Sequence, residues 1–394
     1  MLKFAILVIA LISQINTIAS VMMTDIAMAF PDASDTAVQY VMQCGMIGAF
    51  VVSFLLTFLT SKFKKKTLII TGIVAIILGG LIPIVKHDSL AILYAGALLV
   101  GAGQGIILPT LGALILESFE GDERNRMLGL NTAFYNAAAA ALLVVAGMVC
   151  ATGWVNVYFL YFVAVPVLII AIVFLNPEEK AASAPSEGEQ AAPQEKAGVP
   201  ALGWIQCIMN VLLMIGYASF PLNLSLYVVR DAAIGDAGSV GVAMSLVTIV
   251  AALVSVVLPQ IIKISKLYIG ALSAFFGLLA TVLVVIAKDM TLIYLAAIAD
   301  GIFFGILMAG AGYLVGRICT PAQYGPTYAL STSMVSLGTI FCPIVLNIIA
   351  GIWGGDIAFS GTAFYTAIGI FAVALVLQIV WGAYLTKVLP PEEA

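Results

Sequence analysis

The chain consists of long apolar runs separated by short polar segments. We count twelve such runs, each close to or above the length of about 20 residues that a helix needs to cross a membrane. Their approximate bounds are 3–24, 38–60, 67–85, 90–116, 126–150, 155–175, 202–229, 238–261, 266–287, 291–315, 325–352 and 359–386. Because lipid offers the backbone no hydrogen-bond partners, these runs must be helical. The pattern predicts an all-α membrane protein with twelve transmembrane helices, numbered helix 1 to helix 12 in this order.

One long polar stretch interrupts the pattern between helix 6 and helix 7. Residues 176–200 read NPEEKAASAPSEGEQAAPQEKAGVP, and Val199 is the only large apolar residue among them. Such a composition cannot bury enough apolar surface to offset the entropy of ordering the chain. We therefore predict two six-helix bundles, residues 1–175 and 201–394, joined by a disordered cytoplasmic linker over residues 176–200.

Composition and charge agree with a membrane location. Of 394 residues, 63% are hydrophobic and 9% are charged, whereas about 25% are charged in soluble proteins. If the N-terminus is cytoplasmic, the predicted cytoplasmic segments contain all of the 16 Lys and Arg residues except Lys86, Arg230 and Lys288. Basic residues accumulate on the cytoplasmic side of membrane proteins. We therefore expect a multi-pass protein of the cell membrane with both termini in the cytoplasm.

Several function classes have no support in the residues present. The five cysteines are scattered and the one histidine, His87, lies in a loop, so we expect no metal and no cofactor. There is no basic patch with interleaved aromatics for nucleic acid. No nucleophile and base stand at catalytic spacing, so an enzyme is not expected. The partners that remain are the lipid bilayer, a small-molecule substrate and, if transport is proton-linked, protons; we expect a monomer.

The loop between helices 2 and 3 is strongly basic. Residues 57–66 read TFLTSKFKKK and resemble the signature of the major facilitator superfamily in this loop. That signature begins with Gly and, after three residues, continues with Asp and a basic residue. One further residue, a second Gly and two basic residues complete it. Thr57, Ser61 and Lys64 replace its Gly, Asp and Gly. Three lysines match the basic positions and are candidates for a gate loop: Lys62, Lys65 and Lys66. Anchoring of the loop on the cytoplasmic side explains these lysines equally well.

Helix 4 and its following loop are also similar to that superfamily. Glycines at positions 101, 103 and 105 precede a proline, a glutamate and an Arg-containing loop, and such glycines allow close helix packing. Ala97 stands where the superfamily's proton-linked drug antiporters carry Arg. The run 137–141 is all Ala where those antiporters have a Gly-Pro pair. These two departures favour uptake or facilitation over antiport.

The second half of the chain repeats the first at a constant offset. Tyr94, Gly101, Gly105 and Leu130 recur 200 residues later as Tyr294, Gly301, Gly305 and Leu330. This repeat extends the resemblance over nearly the whole chain. The resemblance implies two pseudo-symmetric six-helix bundles, a central cavity lined by helices 1, 4, 7 and 10, and alternating access by rocking of one bundle against the other.

Neutral polar residues at mid-depth are the candidates for the substrate cavity. In helix 1 such residues recur at spacings of three and four and therefore share one face. Hydrogen bonds between helices are an alternative role for Ser and Thr. In helix 7, Pro221 is expected to kink or open the helix. The cavity candidates are Asn16, Gln104, Asn131, Tyr135, Tyr217, Asn223, Tyr328 and Thr332.

Asp300 is the one acid or base predicted at mid-depth. It lies about nine residues into predicted helix 10. A carboxylate there costs about 2.5–3.5 kcal/mol on insertion scales, so it should face a cavity or a partner. We interpret Asp300 as the proton-coupling or substrate-binding residue; a neutral, hydrogen-bonded structural Asp is the alternative.

These observations favour a secondary transporter that moves a small organic solute by alternating access and is proton-linked through Asp300. Efflux of lipophilic or cationic drugs is one alternative, because an apolar cavity with a single acid suits such compounds. A receptor that kept the fold without transporting is the alternative from another class.

Overall fold

The computed structural model of the protein describes residues 1–175, 198–356 and 359–389. Eleven segments of these residues are long and apolar enough to cross a membrane. One of them, Ala237–Ile286, has 50 residues and contains two helices separated at Lys266, where φ is +47°. Each of these two helices approaches or exceeds the spanning length. The prediction of twelve transmembrane helices is therefore confirmed.

The first six helices have the following bounds: helix 1 Leu2–Val21, helix 2 Asp35–Lys62, helix 3 Lys65–Val85, helix 4 Leu90–Ser118, helix 5 Gly121–Cys150 and helix 6 Trp154–Phe174. The second six are helix 7 Ala201–Asp231, helix 8 Ala237–Ser265, helix 9 Ile269–Ile286, helix 10 Met290–Ile318, helix 11 Pro321–Trp353 and helix 12 Gly361–Val388. Most of the predicted linker, residues 176–197, lies outside the described residues, and helix 7 begins directly after Pro200.

Helices 1 and 7 are irregular where polar residues or a proline weaken them. Helix 1 is α-helical to Ala10, turns over residues 11–14 and continues as a 3-10 helix, Ile15–Val21. Helix 7 is α-helical from Ala201 to Ser225 and then forms a π-helical turn, Leu226–Asp231, five residues after Pro221. Pro cannot donate the backbone hydrogen bond that a regular α-helix requires. Both irregular segments lie where the two halves of the molecule meet.

Glycines hold helices 4 and 10 close to equivalent neighbours in the two halves. A Cβ on Gly101 would lie 1.7 Å from the carbonyl oxygen of Gly45 in helix 2. A Cβ on Gly301 would lie 2.7 Å from the carbonyl oxygen of Val247 in helix 8. The repeat at an offset of 200 thus reappears in three dimensions, because helix 4 packs on helix 2 as helix 10 packs on helix 8.

Helix direction alternates along each half, so the loops collect at two ends of the molecule. We call one end the basic end; it carries the first residue, the 2–3, 4–5, 8–9 and 10–11 loops and the end of helix 12. Lysines 3, 62, 64, 65 and 66 lie there. The opposite end carries the 1–2, 3–4, 5–6, 7–8 and 9–10 loops and the described part of the 11–12 loop. Helices 1–6 form the N-terminal half and helices 7–12 the C-terminal half. The two halves lie side by side, and the boundary between them runs from the basic end to the opposite end.

Candidate functional site

Charged side chains join the two halves at the opposite end. The guanidinium of Arg230, at the end of helix 7, donates to both carboxylate oxygens of Asp35 in helix 2 over 2.7 and 2.8 Å. Arg230 also donates to Asp231 over 2.7 Å. Asp231 in turn accepts from the backbone N–H and hydroxyl of Ser360, at 2.8 and 2.6 Å. Paired N–H donors facing a carboxylate form one of the stronger contacts between protein side chains.

Neutral side chains continue this junction, which we call the seam, toward the middle of the molecule. The amide of Gln39 donates to the side-chain oxygen of Asn223 over 2.7 Å. The hydroxyls of Thr24 and Ser225 lie 2.8 Å apart. The seam also includes bonds from Asn347 to Thr36 and from the Gln43 amide to the Thr339 carbonyl oxygen, the latter over 2.5 Å.

Helices 5 and 8 meet at backbone distance in the seam. A Cβ on Gly147 would lie 2.6 Å from the Ala237 carbonyl oxygen, and one on Gly241 would lie 2.4 Å from that of Leu143. Both glycines belong to the halves of their helices nearer the opposite end. Among the described residues, the hydrogen bonds and close approaches between the halves therefore concentrate at that end.

Side chains on the helix faces that meet in the seam become more exposed toward the basic end. On helix 11, Thr332, Ser336 and Thr339 share one face, and Thr339 contacts the first half. Along this face Thr332 is exposed, Ser336 is half-buried and Thr339 is 5% exposed. On helix 5, exposure likewise rises from buried Leu143 to exposed Thr132. From this rise in exposure we infer a gap between the halves that opens at the basic end and is closed by the seam, and we call it the central cavity.

Two predicted cavity residues of the first half make hydrogen bonds within that half. The amide of Asn16 donates to the Met42 carbonyl oxygen over 3.4 Å and packs where Gly45 has no side chain. The amide of Gln104 donates to the carbonyl oxygen of Ser13 over 3.1 Å. Ser13 lies in the turn that interrupts helix 1, so Gln104 supports a carbonyl that this turn leaves available.

The other predicted cavity residues lie along helices 5 and 11. Asn131 is 7% exposed, and its side-chain oxygen has no hydrogen-bond partner among the described residues. Tyr135, one turn further along helix 5, is half-buried. Tyr328 is half-buried and stacks on Tyr324, with ring centroids 5.8 Å apart. The structure therefore places these candidates along helices 5 and 11 instead of gathering them in one cluster.

Asp300 lies inside the second half. It is 2% exposed, and its Oδ2 has no hydrogen-bond partner among the described residues. Phe303 is on the same side of helix 10, and Phe371 of helix 12 packs on it with a centroid distance of 5.3 Å. Tyr217 of helix 7 stacks on Phe303 and Phe304 of helix 10, with ring centroids 5.7 and 4.7 Å apart, and so lies beside the turn that carries Asp300. The structure thus brings Asp300 and Tyr217 together, behind the cavity wall.

The candidate gate loop contacts its own half. Lys65 pairs with Glu117 at the end of helix 4, and Lys66 donates to the Ile172 carbonyl oxygen of helix 6 over 2.7 Å. Lys62 ends helix 2. These contacts position the 2–3 loop beside helices 4 and 6 at the basic end.

Several seam residues do not figure among the predicted site residues. Gln39 and Gln43 stand one turn apart on helix 2, and two buried amides on one helix face are a signal that sequence inspection can detect. Arg230 was recognised only as a basic residue outside the cytoplasmic loops. Its partnership with Asp35 depends on how the halves pack, which no local pattern reveals. Among the described residues, no three His, Cys, Asp or Glu side chains are arranged to hold a metal.

Twelve membrane helices in two repeated halves, with a polar gap between the halves, define a protein of the solute-transporter class. The family model described as Major Facilitator Superfamily matches residues 4–299. The chain belongs to this superfamily.

Solved transporter structures share the fold. The nucleoside transporter NupG is 14% identical with a TM-score of 0.76, and the match covers 98% of this chain and 99% of that one. A bacterial homologue of the human lysosomal transporter Spinster, in an inward-facing and unoccupied conformation, is 11% identical with a TM-score of 0.71, covering 99% and 98%. The peptide transporter family member PepTSo is 11% identical with a TM-score of 0.72, covering 98% of each chain. No curated protein sequence matches the chain significantly.

Proposed function

We propose that the protein is a secondary carrier of the cell membrane that moves a small organic solute by alternating access. The observation that carries this proposal is the asymmetry of the central cavity, which is open at the basic end and closed at the seam. The polar bonds between the halves join side chains to side chains or to a carbonyl, so they can break without unfolding a helix. With the basic end in the cytoplasm, as the distribution of Lys and Arg favours, this arrangement corresponds to an inward-open carrier.

The cavity chemistry favours a neutral polar solute. The described candidates along its wall carry amides, hydroxyls and phenols, while Asp300 lies behind the wall. Such groups exchange hydrogen bonds with an uncharged solute without the desolvation cost of pairing charges. NupG is named for nucleosides and PepTSo belongs to a peptide transporter family, so these classes, with sugars, form the first panel to test.

The experiment is uptake into proteoliposomes. Purified protein is reconstituted and given radiolabelled uridine, glucose or alanylalanine, with unlabelled solute inside to drive exchange. We expect exchange of at least one of these solutes above that of protein-free vesicles. Binding of a solute without any exchange would support the receptor alternative instead.

We further propose that transport is proton-linked through Asp300. A buried carboxyl with an unpaired oxygen is more stable neutral than charged, so proton loss there would strain the packing of helices 7 and 10. Asp300→Asn keeps the shape and removes the titration. We expect this variant to retain solute exchange but to lose accumulation driven by an inward proton gradient. Equal gradient-driven accumulation by wild type and variant would remove Asp300 from the mechanism.

Efflux of lipophilic cations is the second candidate, because aromatic rings surround the one deep acid. Tyr217 and Phe304 present stacked faces near Asp300, and cations bind such faces. Transport of tetraphenylphosphonium, abolished by Asp300→Asn, would favour this function over carriage of neutral solutes.

A further inference from the structure

A proline in helix 11 deprives one seam carbonyl of its usual partner. In an α-helix each carbonyl accepts from the N–H four residues later. For Thr339 that residue is Pro343, which has no N–H. Helix 11 nevertheless continues from Pro321 to Trp353. The amide of Gln43, from the other half, donates to the Thr339 carbonyl oxygen over 2.5 Å and so supplies the missing bond.

The orientation of the Gln43 amide follows from this contact. Turning the amide over would place its oxygen against the carbonyl oxygen, and two acceptors repel. With the NH2 group committed to Thr339, the side-chain oxygen is left without a partner among the described residues, on a residue that is 0% exposed. A buried, unpaired acceptor is unfavourable. The seam is therefore closed by a bond that satisfies Thr339 and leaves Gln43 partly unsatisfied.

Thr339 stands at the closed end of the central cavity. Thr332, Ser336 and Thr339 lie along one side of helix 11, and their exposure falls in this order. A solute that enters from the basic end and follows this face reaches Thr339 last. There it meets a carbonyl oxygen whose bond is supplied by the opposite half.

We propose that the Thr339 carbonyl is a solute-binding acceptor, occupied by the Gln43 amide while the seam is closed and transferred to a hydroxyl or N–H of a neutral solute as the seam opens. This inference rests on the proposed transport function and narrows its substrate to neutral hydrogen-bond donors. The exchange keeps the carbonyl paired throughout.

Two variants act on this carbonyl in opposite ways. Pro343→Ala restores an N–H to helix 11, which satisfies Thr339 internally. We expect it to weaken binding of uridine and glucose about 2- to 10-fold, which corresponds to the net free energy of one hydrogen bond. Gln43→Leu removes the internal competitor, and we expect it to strengthen binding by a similar factor. Pro83→Ala, in helix 3 and away from the seam, is the matched proline control and should leave both affinities unchanged.

The direction of the two effects decides between a solute site and a simple latch. If Gln43 serves only to hold the seam shut, both variants release it and shift affinity the same way, which would overturn the proposal. If wild type exchanges alanylalanine but binds neither uridine nor glucose, the proposal also fails while the transport function stands. If nothing in the panel is exchanged, it is the transport function that fails.

A measurement of thermal stability without solute tests whether the Thr339 carbonyl oxygen needs the hydrogen bond from Gln43. Gln43→Leu leaves Thr339 unpaired in the closed seam and should lower the melting temperature. Adding Pro343→Ala to that variant should recover most of the loss, because helix 11 then provides the bond. A double variant no more stable than Gln43→Leu would show that the carbonyl has another donor, and would overturn the proposal.

Discussion

At the scale of single residues, Asp236 begins helix 8 as its capping residue. The hydroxyl of Ser239 and its backbone N–H both donate to Oδ1 of Asp236, and these bonds hold the pKa of Asp236 below its usual value. The folded protein therefore binds this proton less readily than the unfolded chain does. The stabilisation by the cap is present above the unfolded pKa, near 4, and is lost as pH falls through the lower folded pKa.

Asp236→Ala removes this cap. We expect a loss of about 0.5–2 kcal/mol in the free energy of unfolding at neutral pH, measured by thermal or denaturant unfolding in detergent. The difference from wild type should shrink as pH falls below about 4 and through the lower folded pKa of Asp236, where the carboxylate of the wild-type protein becomes protonated. Asp88→Ala is the control, because its pairing with Lys86 at 3.6 Å is largely exposed and such pairs contribute little. Equal stability of Asp236→Ala and wild type at pH 7 would contradict the assigned role.

Residue-level prediction worked where a signal was local. Asp300 was identified because a lone acid in an apolar run is conspicuous, and the structure does bury it. Its position behind the cavity wall, beside Tyr217, depends on helix rotation, which the spacing of residues alone leaves open. Asn16 and Gln104 were predicted as cavity residues, but their amides also bind backbone carbonyls in the first half. The sequence does not show which of several polar side chains will bind the backbone carbonyls that a break in helix 1 leaves without partners.

At the scale of helices, close crossings at glycine determine which pairs of helices pack tightly. Gly101→Ala would place a methyl group 1.7 Å from the Gly45 carbonyl oxygen, so helices 2 and 4 must separate. We expect a loss of about 1–3 kcal/mol, typical of overpacking, seen as a lower melting temperature. Gly112→Ala is the matched control on the same helix, because nothing lies within 4 Å of its Cβ position. A similar loss in both variants would indicate a general intolerance of helix 4 to substitution instead of a specific crossing.

The helices themselves were predictable because lipid leaves the backbone no alternative, and the glycine repeat indicated which helices correspond. Helices 4 and 5, and 10 and 11, extend further at the basic end than predicted, since polar helix ends can continue into water. The 3-10 segment of helix 1 and the π-turn of helix 7 were not predicted. In helix 1, Gln104 and Ser225 of neighbouring helices donate to the carbonyl oxygens of Ser13 and Val21 and so satisfy the irregular backbone.

At the scale of the whole molecule, the pair of Arg230 and Asp35 bridges the two halves. Asp35→Arg or Arg230→Asp alone should weaken the closed seam by about 1.5–3 kcal/mol, the range for hydrogen bonds to charged groups. The double variant exchanges the charges and should restore closure. Spin labels on Lys86→Cys and Lys288→Cys, one in each half at the opposite end, report the distance between the halves. Single variants that leave this distance distribution unchanged would show that other seam bonds suffice.

The glycine crossings also bear on how far such a chain can diverge. A contact between a glycine and a neighbouring backbone carbonyl does not depend on which side chains surround it. Most lipid-facing positions need only be apolar, and many residue types meet that requirement. A few small residues at helix crossings can therefore preserve the architecture while nearly everything else drifts. Structures of 11–14% identity and TM-scores of 0.71–0.76 are what this tolerance allows, and it leaves the few polar side chains of the seam and cavity free to adapt to new solutes.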